Sequence, residues 1–276
     1  MNKTILITGA STGIGKETAI YFATKGWNVA ATMRIHEMEK ELAKISNIKL
    51  FKLDVTDEIS IHKAIEDIIS TFGAIDVVYN NAGYALVGAF EAMNDEQIKR
   101  QFDTNVFGVM NVTRAILPYF RERKKGTIIN TTSMGGLMTF PLYSIYHATK
   151  WALEGFMESL QFELKPFNIK IKNIEPGVIK TAFYGKSATF ATKPGLSAYD
   201  AYVKVTQDNM LKVSASAPGP LVVAKKVFKA ATDNSFRLRY AVGGNGPALL
   251  FLRWLLPLSW FNAIVSSQVE KGFKKI

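Results

Sequence analysis

The chain has 276 residues, a formal net charge of +11 and no cysteine. This length allows one large domain with a sizeable core, while the lack of cysteine excludes disulfides and thiolate chemistry and the three widely spaced histidines give no reason to expect a metal site. We interpret the charge as a solvated basic surface, with attraction of an anionic cofactor, a membrane or a nucleic acid as the alternatives.

The first predicted element is a short strand at residues 4–7, which is followed by a glycine-rich turn and a helical pattern through about residue 25. Strand, glycine-rich turn and helix open a nucleotide-binding unit, because the backbone must approach a pyrophosphate closely and the helix N-terminus offers it unpaired N–H groups. The spacing is G-x-x-x-G-x-G rather than G-x-G-x-x-G, and a plain connecting loop stays open. The candidate cofactor residues here are Gly9, Ser11, Thr12, Gly13, Ile14 and Gly15.

The second predicted strand, residues 28–32, leads to Met33 and Arg34. A carboxylate at this strand end would indicate NAD, whereas a guanidinium suits the 2′-phosphate of NADP through bidentate contact. We therefore expect NADP(H) to be preferred, with Arg34 as its ligand. Glu37 keeps NAD(H) possible, and Arg34 could instead be an ordinary surface residue.

The third strand, residues 48–53, and the fourth, residues 74–79, flank a helix predicted over 59–72. Asp54 and Val55 follow the third strand. Asp54 could accept a hydrogen bond from an adenine amine, although a turn carboxylate is an equal alternative. Asn81, Ala82 and Gly83 follow the fourth strand, where such residues form a turn whose backbone approaches a ligand.

A long helix is predicted over residues 95–120, with Asn105 and Gly108 in its middle. Both residue types are poor in helix interiors. They indicate a local distortion, which often serves function, although an interior held straight by packing remains open.

The fifth strand, residues 127–131, leads to Ser133, and a helix over 144–164 carries Tyr146 and Lys150. Residues four apart share one helix face, and an ammonium beside a phenol lowers the phenol's pKa towards neutrality. Such a tyrosine can exchange a proton with a substrate oxygen, which Ser133 could also hold. Tyr21 and Lys25 repeat the spacing, but they lie on the first helix away from its phosphate end, so we predict that Tyr21 packs against neighbouring residues.

The rest of the chain adds a sixth strand at 169–174, a turn from Pro176 and Gly177 to Thr181, a helix at 220–232 and a last strand at 238–242. Residues 182–217 lack a clear core pattern and are predicted to form a substrate lid. The apolar stretch 248–265 contains Arg253 and Pro257, so it is predicted to be buried or interfacial rather than to span a membrane. No linker or repeat is evident, and residues 1–276 are expected to form one domain with a C-terminal extension at 243–276.

Taken together, the motifs resemble those of the short-chain dehydrogenase/reductases across residues 3–242. The resemblance implies an α/β fold, a Rossmann-type doubly wound parallel sheet of seven strands in the order 3-2-1-4-5-6-7. It further implies that Tyr146 exchanges the proton, Lys150 holds the nicotinamide ribose, Ser133 polarises the carbonyl and Asn105 seats a relay water. The motifs that carry it are Thr8-Gly9-x-x-x-Gly13-Ile14-Gly15, Asp54-Val55, Asn80-Asn81-Ala82-Gly83, Asn105, Ser133, Tyr146-x-x-x-Lys150 and Pro176-Gly177, with Val178 and Thr181 as implied contacts of the carboxamide.

The resulting hypothesis is an NADPH-preferring carbonyl reductase or alcohol dehydrogenase that acts on a bulky, largely apolar ketone or secondary alcohol. The alternatives are a non-catalytic NADP(H)-binding sensor or scaffold, and a membrane-associated lipid or retinoid dehydrogenase that docks through residues 248–265. The basic residues are too scattered for a nucleic-acid surface. We expect a cytoplasmic protein, because the N-terminus lacks the composition of a secretory signal, with no membrane partner and a homodimer or homotetramer as its assembly.

Overall fold

The structure is a computed structural model that describes residues 2–181 and 188–273. Its centre is a seven-stranded sheet in which every neighbouring pair of strands is parallel, in the order β3-β2-β1-β4-β6-β7-β9. The resemblance implied this order. The strands of the sheet are β1 (Thr4–Ile7), β2 (Asn28–Met33), β3 (Ile48–Lys52), β4 (Val77–Asn80), β6 (Gly126–Thr131), β7 (Ile169–Pro176) and β9 (Arg239–Val242), and a separate small sheet pairs β5 (Ala85–Val87) with β8 (Ala188–Phe190).

Helices cover both faces of the sheet, as parallel sheets require because their strands are apolar on both sides. In one core layer, Phe22 and Trp27 pack with Val223 and Val227. In the other, the helices that follow β3, β4 and β6 pack against the sheet. The helices are α1 (Gly13–Thr24), α2 (Glu58–Phe72), α3 (Asp95–Phe102), α4 (Gly108–Glu122), α5 (Ser144–Leu164), α6 (Asp200–Ala215), α7 (Leu221–Thr232), α8 (Gly246–Leu255) and α9 (Leu258–Val269).

The strand order reverses direction between β1 and β4, which lie side by side at the middle of the sheet. The loops after these two strands leave towards opposite faces, so a crevice opens between them at the carboxyl edge. The glycine-rich turn after β1 and the asparagine turn after β4 therefore meet at one point. This topology confirms the predicted doubly wound fold.

The predicted long helix is interrupted where Asn105 lies. Residues Asp103–Phe107 form a π-helical turn between α3 and α4, and Asn105 is buried within it. A single π turn inside a helix inserts one residue and changes which way the following side chains point. The distortion predicted from Asn105 and Gly108 is therefore present.

The fourth strand begins three residues later than the predicted 74–79. The main chain at Ile75 is bonded to side chains of α4 and its end instead of to a neighbouring strand. Its N–H donates to the Tyr119 hydroxyl at 3.3 Å, and its carbonyl accepts from Arg123 at 2.7 Å. The composition of this segment predicted a strand, but it could not show that these two side chains occupy the backbone groups of Ile75.

The predicted lid region contains regular structure that its sequence did not indicate. Residues 188–190 form β8, and α6 spans Asp200–Ala215 with only Thr206 and Ser214 buried among its residues. A helix that buries so little has a weak apolar stripe, which explains why periodicity missed it. Residues 182–187 of the predicted lid lie outside the described residues.

The C-terminal extension folds into α8 and α9, joined at Pro257. Phe261, Val265 and Val269 of α9 pack with Met134 and Met138 in a third apolar cluster. Within residues 2–181 and 188–273, no helix has both the length and the apolar character needed to cross a membrane.

Candidate active site

A cleft of about 690 Å³ lies at the carboxyl edge of the sheet, and most of the predicted site residues line it. Gly15 and Asn105 are the two predicted residues that do not contribute to its wall. Those that do are Gly9, Ser11, Thr12, Gly13, Ile14, Arg34, Asp54, Val55, Asn81, Ala82, Gly83, Ser133, Tyr146, Lys150, Pro176, Gly177, Val178 and Thr181.

The glycine-rich turn has the close backbone approaches that an anion cradle requires. A Cβ on Gly9, whose φ is +66°, would lie 2.8 Å from the Ala82 Cα, and a Cβ on Gly15 would lie 2.4 Å from the Gly9 carbonyl oxygen. The first turn of α1 contains no acidic residue, and Thr12 caps it without a side-chain hydrogen bond. The free N–H groups of this helix start are thus available to a phosphate.

Thr8 and Asn81 join the turns after β1 and β4. The Thr8 hydroxyl accepts from the backbone N–H groups of Asn81 (2.9 Å) and Ala82 (3.0 Å), and Asn81 Nδ2 donates to the carbonyls of Thr8 (3.1 Å) and Gly9 (3.2 Å). Gly15 belongs to the same contact, since its added Cβ would meet Asn81 Nδ2 at 2.5 Å. Gly15 therefore shapes the cradle from behind.

At the other end of the cleft, Arg34 and Asp54 follow β2 and β3. Arg34 is exposed and lies on the cleft wall, while Asp54 accepts from the Thr56 N–H at 2.9 Å and from the Thr56 hydroxyl at 2.7 Å. The nearby carboxylates turn elsewhere: Glu37 lies 3.5 Å from His36 Nδ1, and Glu39 pairs with Lys16 at 3.1 Å. A cation therefore lines this part of the cleft, and neither Glu37 nor Glu39 does.

Ser133, Tyr146 and Lys150 come together on the cleft wall, as predicted. Ser133 Oγ accepts from the Gly135 N–H at 2.9 Å, which fixes the hydroxyl at the end of β6. Lys150 Nζ donates to the Thr131 carbonyl at 2.8 Å and lies 5.7 Å from the centre of the Tyr146 ring. The chain thus presents a hydroxyl, a phenol and an amine to one space.

Buried charges lie behind Lys150. Burial lowers the pKa of Lys150 to about 8, and the negative charge of Glu154, one helical turn on, opposes that shift. Burial and the repulsion of Glu154 raise the pKa of Glu175 to about 8, while Arg239 opposes that change. Arg239 Nε lies 3.1 Å from Glu154 and 3.5 Å from Glu175, so one cation serves both carboxyls.

Asn105 lies behind the cleft rather than on it. Its Oδ1 accepts from the Tyr84 N–H at 3.1 Å, and its Nδ2 donates to the Tyr84 carbonyl at 2.8 Å and to the Thr149 hydroxyl at 3.3 Å. The side chain therefore links the π turn to β5 and α5. Its implied role in a proton relay stays a prediction.

His147 lines the cleft but is fully engaged in holding the loop after Ser133. Its Nδ1 donates to the Gly135 carbonyl at 2.8 Å, and its Nε2 accepts from the Phe140 N–H at 2.9 Å. Burial lowers the pKa of His147 to about 4, which keeps the ring in the neutral form that these two bonds need. This geometry indicates that His147 supports the loop after Ser133.

The duplicate pair Tyr21 and Lys25 lies on α1, away from the cleft. Lys25 Nζ is 5.3 Å from the Tyr21 ring centre, and that ring packs edge-on against Phe228 of α7 at 5.7 Å. The predicted packing role of Tyr21 is in agreement with these contacts.

Part of the cleft wall is an apolar surface formed by residues that were not among the predicted site residues. These residues come from loops and from α6, where no repeating pattern points to a ligand. The wall comprises Met134, Phe140, Tyr143, Ile179 and Met210, and other unpredicted lining residues include Leu53, Thr56, Tyr84, Arg100, Asp103, Thr104 and Thr132. Within the part of the chain that the structure describes, no group of three or more histidine or acidic side chains could hold a metal ion.

Comparison with known proteins identifies the family that the chain resembles. The family described as short chain dehydrogenase matches residues 3–191. A crystal structure of a short-chain dehydrogenase from Streptomyces avermitilis is 35% identical, with a TM-score of 0.82 and 98% coverage of both chains. The structure of ElxO with NADP bound is 29% identical, with a TM-score of 0.75 over 90% of this chain and 100% of that one.

The chain is also similar to a 3-ketodihydrosphingosine reductase from Bacteroides thetaiotaomicron, with 43% identity over 179 residues, which is 65% of each chain.

Proposed function

The chain belongs to the short-chain dehydrogenase family and is an NAD(P)-dependent oxidoreductase, and from this membership we propose that it interconverts a bulky, largely apolar ketone and its secondary alcohol with NADP(H) preferred. The observation that carries the proposal is the single cleft shared by Ser133, Tyr146, Lys150 and the start of α1. A protein that only sensed the nucleotide would not need the three proton-handling side chains in one place.

The residues present fit a dinucleotide. The turn at Gly9 and Gly15 leaves room only for backbone, and the N-terminus of α1 provides N–H donors for the pyrophosphate. Arg34 and Asp54 would hold the adenosine end, and Val178 and Thr181 the carboxamide. Bound nicotinamide would supply or accept the hydride.

In the direction of reduction, Ser133 holds the substrate oxygen with its hydroxyl, and Tyr146 delivers a proton to the same oxygen. Lys150 is fixed by the Thr131 carbonyl with its amine beside the phenol, and it would hold the ribose of a bound nicotinamide nucleotide. A pKa near 8 leaves Lys150 mostly charged at pH 7 and able to exchange a proton near neutrality. In oxidation Tyr146 takes the proton instead.

The substrate class is supported by the apolar wall of the cleft. Met134, Phe140, Tyr143 and Met210 provide an apolar surface for a large carbon skeleton. The relative from Bacteroides thetaiotaomicron is named as a reductase of a ketone, 3-ketodihydrosphingosine. NADP preference is supported by Arg34 on the cleft and by the NADP-bound structure of ElxO. A cytoplasmic location and a homo-oligomeric state remain part of the proposal.

The Tyr146→Phe variant tests the proposed function. Removal of the hydroxyl takes away general acid catalysis, so turnover should fall by about 10²–10⁴-fold. The assay follows nicotinamide absorbance with a panel of aliphatic, aryl and steroid ketones. The matched control is Tyr21→Phe, which removes a hydroxyl from the duplicate Tyr-x-x-x-Lys pair and should leave turnover unchanged. Normal turnover by Tyr146→Phe would sink the proposal.

A further inference from the structure

The C-terminal helices α8 and α9 expose the densest group of large apolar side chains in the described part of the chain. Trp254 is 78% exposed and Trp260 65% exposed. Apolar side chains that are exposed singly are ordinary, but a contiguous group marks an interaction site. The group, which we name the C-terminal apolar face, consists of Phe251, Trp254, Leu255, Leu258, Trp260 and Ile264.

The two sides of α9 differ sharply. Phe261, Val265 and Val269 are buried against the loop after Ser133, whereas Trp260 and Ile264, four residues apart, share an exposed side. On α8, the rings of Phe251 and Trp254 lie 6.1 Å apart and contact each other at the surface. The buried side of α9 thus belongs to the apolar core, whereas the C-terminal apolar face is exposed.

Arg253 is the one charged side chain within α8 and α9, and Glu270, which follows α9, is bonded to Tyr202 and Ser266. No Asp or Glu occurs between residues 234 and 269, while Arg253 lies within α8 and the exposed Lys271 follows α9. The whole chain carries a net charge of +11. A second copy of the chain would bring two surfaces of the same sign together, whereas an anionic surface would be attracted.

We propose that the C-terminal apolar face docks on the surface of an anionic lipid bilayer. Tryptophan is enriched at the boundary between headgroups and acyl chains, where its ring is apolar and its N–H stays hydrated. Helices of 10 and 12 residues are too short to cross a bilayer, but they can lie in its surface with their apolar side chains inserted. The positive charge adds attraction to anionic headgroups.

The docked orientation would bring the substrate cleft to the membrane. The buried side of α9 packs on Met134 and Met138, and Met134 lines the cleft. One helix diameter, about 10 Å, therefore separates the bilayer surface from the apolar wall. This step rests on the proposed function: the ketone would be one that dissolves in lipid.

The test is co-sedimentation of the full chain with phosphatidylcholine vesicles, either pure or containing phosphatidylserine. We expect binding to the anionic vesicles that weakens as salt is raised. The double variant Trp254→Ser/Trp260→Ser should bind at least about tenfold more weakly, because it removes the two most exposed indoles. The control is Ile59→Ser on α2, which removes an 83% exposed apolar side chain elsewhere and should bind like the wild type.

Two further measurements separate this proposal from its competitors. Turnover of a small water-soluble ketone should be the same for the wild type, the double variant and Ile59→Ser. A wild type that does not turn over ketones would count against the proposed function and not against docking. Sedimentation velocity without lipid should show the same assembly state in all three. The absence of wild-type binding to anionic vesicles at low salt would overturn the proposal, and so would a double variant whose only defect is a smaller assembly.

Discussion

The proposed preference for NADP(H) rests on one exposed residue. Arg34 ends β2 on the cleft wall, and the neighbouring acidic side chains are directed to His36 and Lys16 instead. Arg34 is therefore available to a 2′-phosphate, which supports the proposed preference for NADP(H).

Arg34→Ala should weaken NADPH binding by about 10- to 100-fold, because it removes a charge-assisted hydrogen bond to the 2′-phosphate. NADH binding should change little, since NADH has no 2′-phosphate. The measurement is the KM for each cofactor at a fixed ketone concentration. Arg121→Ala, which removes an exposed arginine at the end of α4, is the control. Equal losses for NADPH and NADH would contradict the assignment of Arg34.

His147 is a second residue whose effect is local but measurable. It holds the Gly135 carbonyl and the Phe140 N–H, and only its neutral ring can do both. Burial lowers the pKa of His147 to about 4, below the ordinary value of 6.5. The unfolded chain therefore binds the proton more readily, so this stabilisation is complete above pH 6.5 and is lost as pH falls towards 4.

The expected loss is on the order of 3 kcal/mol in the free energy of unfolding, because each tenfold difference in proton affinity between the folded and unfolded chain corresponds to about 1.4 kcal/mol. Urea denaturation of the wild type and of His147→Gln at pH 7 and pH 4.5 measures it. The difference between the two proteins should shrink at the lower pH. His62→Gln, at an exposed position on α2, should differ from wild type by the same amount at both. A wild-type advantage over His147→Gln that is independent of pH would refute this role.

Among the elements, the interrupted helix and α5 position the residues that are proposed to transfer the proton. The π turn at Asp103–Phe107 aims Asn105 at Tyr84 and Thr149, so α4, β5 and α5 are joined at one buried amide. Lys150 and Thr149 lie on α5 itself, and Glu154 continues the same helix into the buried charge cluster. An undistorted helix would direct Asn105 elsewhere.

The outer side of α5 carries exposed aromatic side chains. Trp151 is 45% exposed and Phe162 72% exposed, and their separation of eleven residues is close to three helical turns, so they share one side. Phe107, which precedes α4, is 52% exposed. These side chains support the proposed homo-oligomeric state, with an interface formed by α5 and the start of α4.

We expect the wild type to be a dimer or larger by sedimentation velocity and Trp151→Glu/Phe162→Glu to be smaller. Charges placed in an apolar interface cannot be solvated there, so association should weaken strongly. Ile59→Glu on α2 is the matched control, since that side chain is equally apolar and 83% exposed. A monomeric wild type would rule out the interface.

At the scale of the whole molecule, the topology assembles the site. Residues that belong to β1, β4, β6 and α5 are separated by up to about half the chain, yet all end at one sheet edge because every strand of the main sheet runs the same way. The reversal of strand order between β1 and β4 opens the cleft there. The C-terminal helices then pack against Met134 of the apolar wall on one side and expose the C-terminal apolar face on the other.

Much of this could be predicted from the sequence because the relevant signals are local. The glycine turn, the strand ends and the Tyr146–Lys150 pair are short patterns whose physical requirements lie within a few residues. They led to the parallel sheet and to the positions of all but two of the proposed site residues on the cleft wall. The poor helix formers Asn105 and Gly108 likewise indicated a distortion in advance.

Other features were decided only by contacts between distant segments. Pairing of β5 with β8 joins residues about a hundred positions apart, and the start of β4 depends on side chains from α4. The functions of Gly15, behind the cradle, and of His147, between two backbone groups, depend on partners that no spacing rule names. The sequence by itself determined the fold and most of the polar residues that line the cleft, since these follow from local patterns. Only the tertiary structure decided which apolar side chains line the cleft and which of those on α8 and α9 reach the surface, because burial is a property of the whole packed chain.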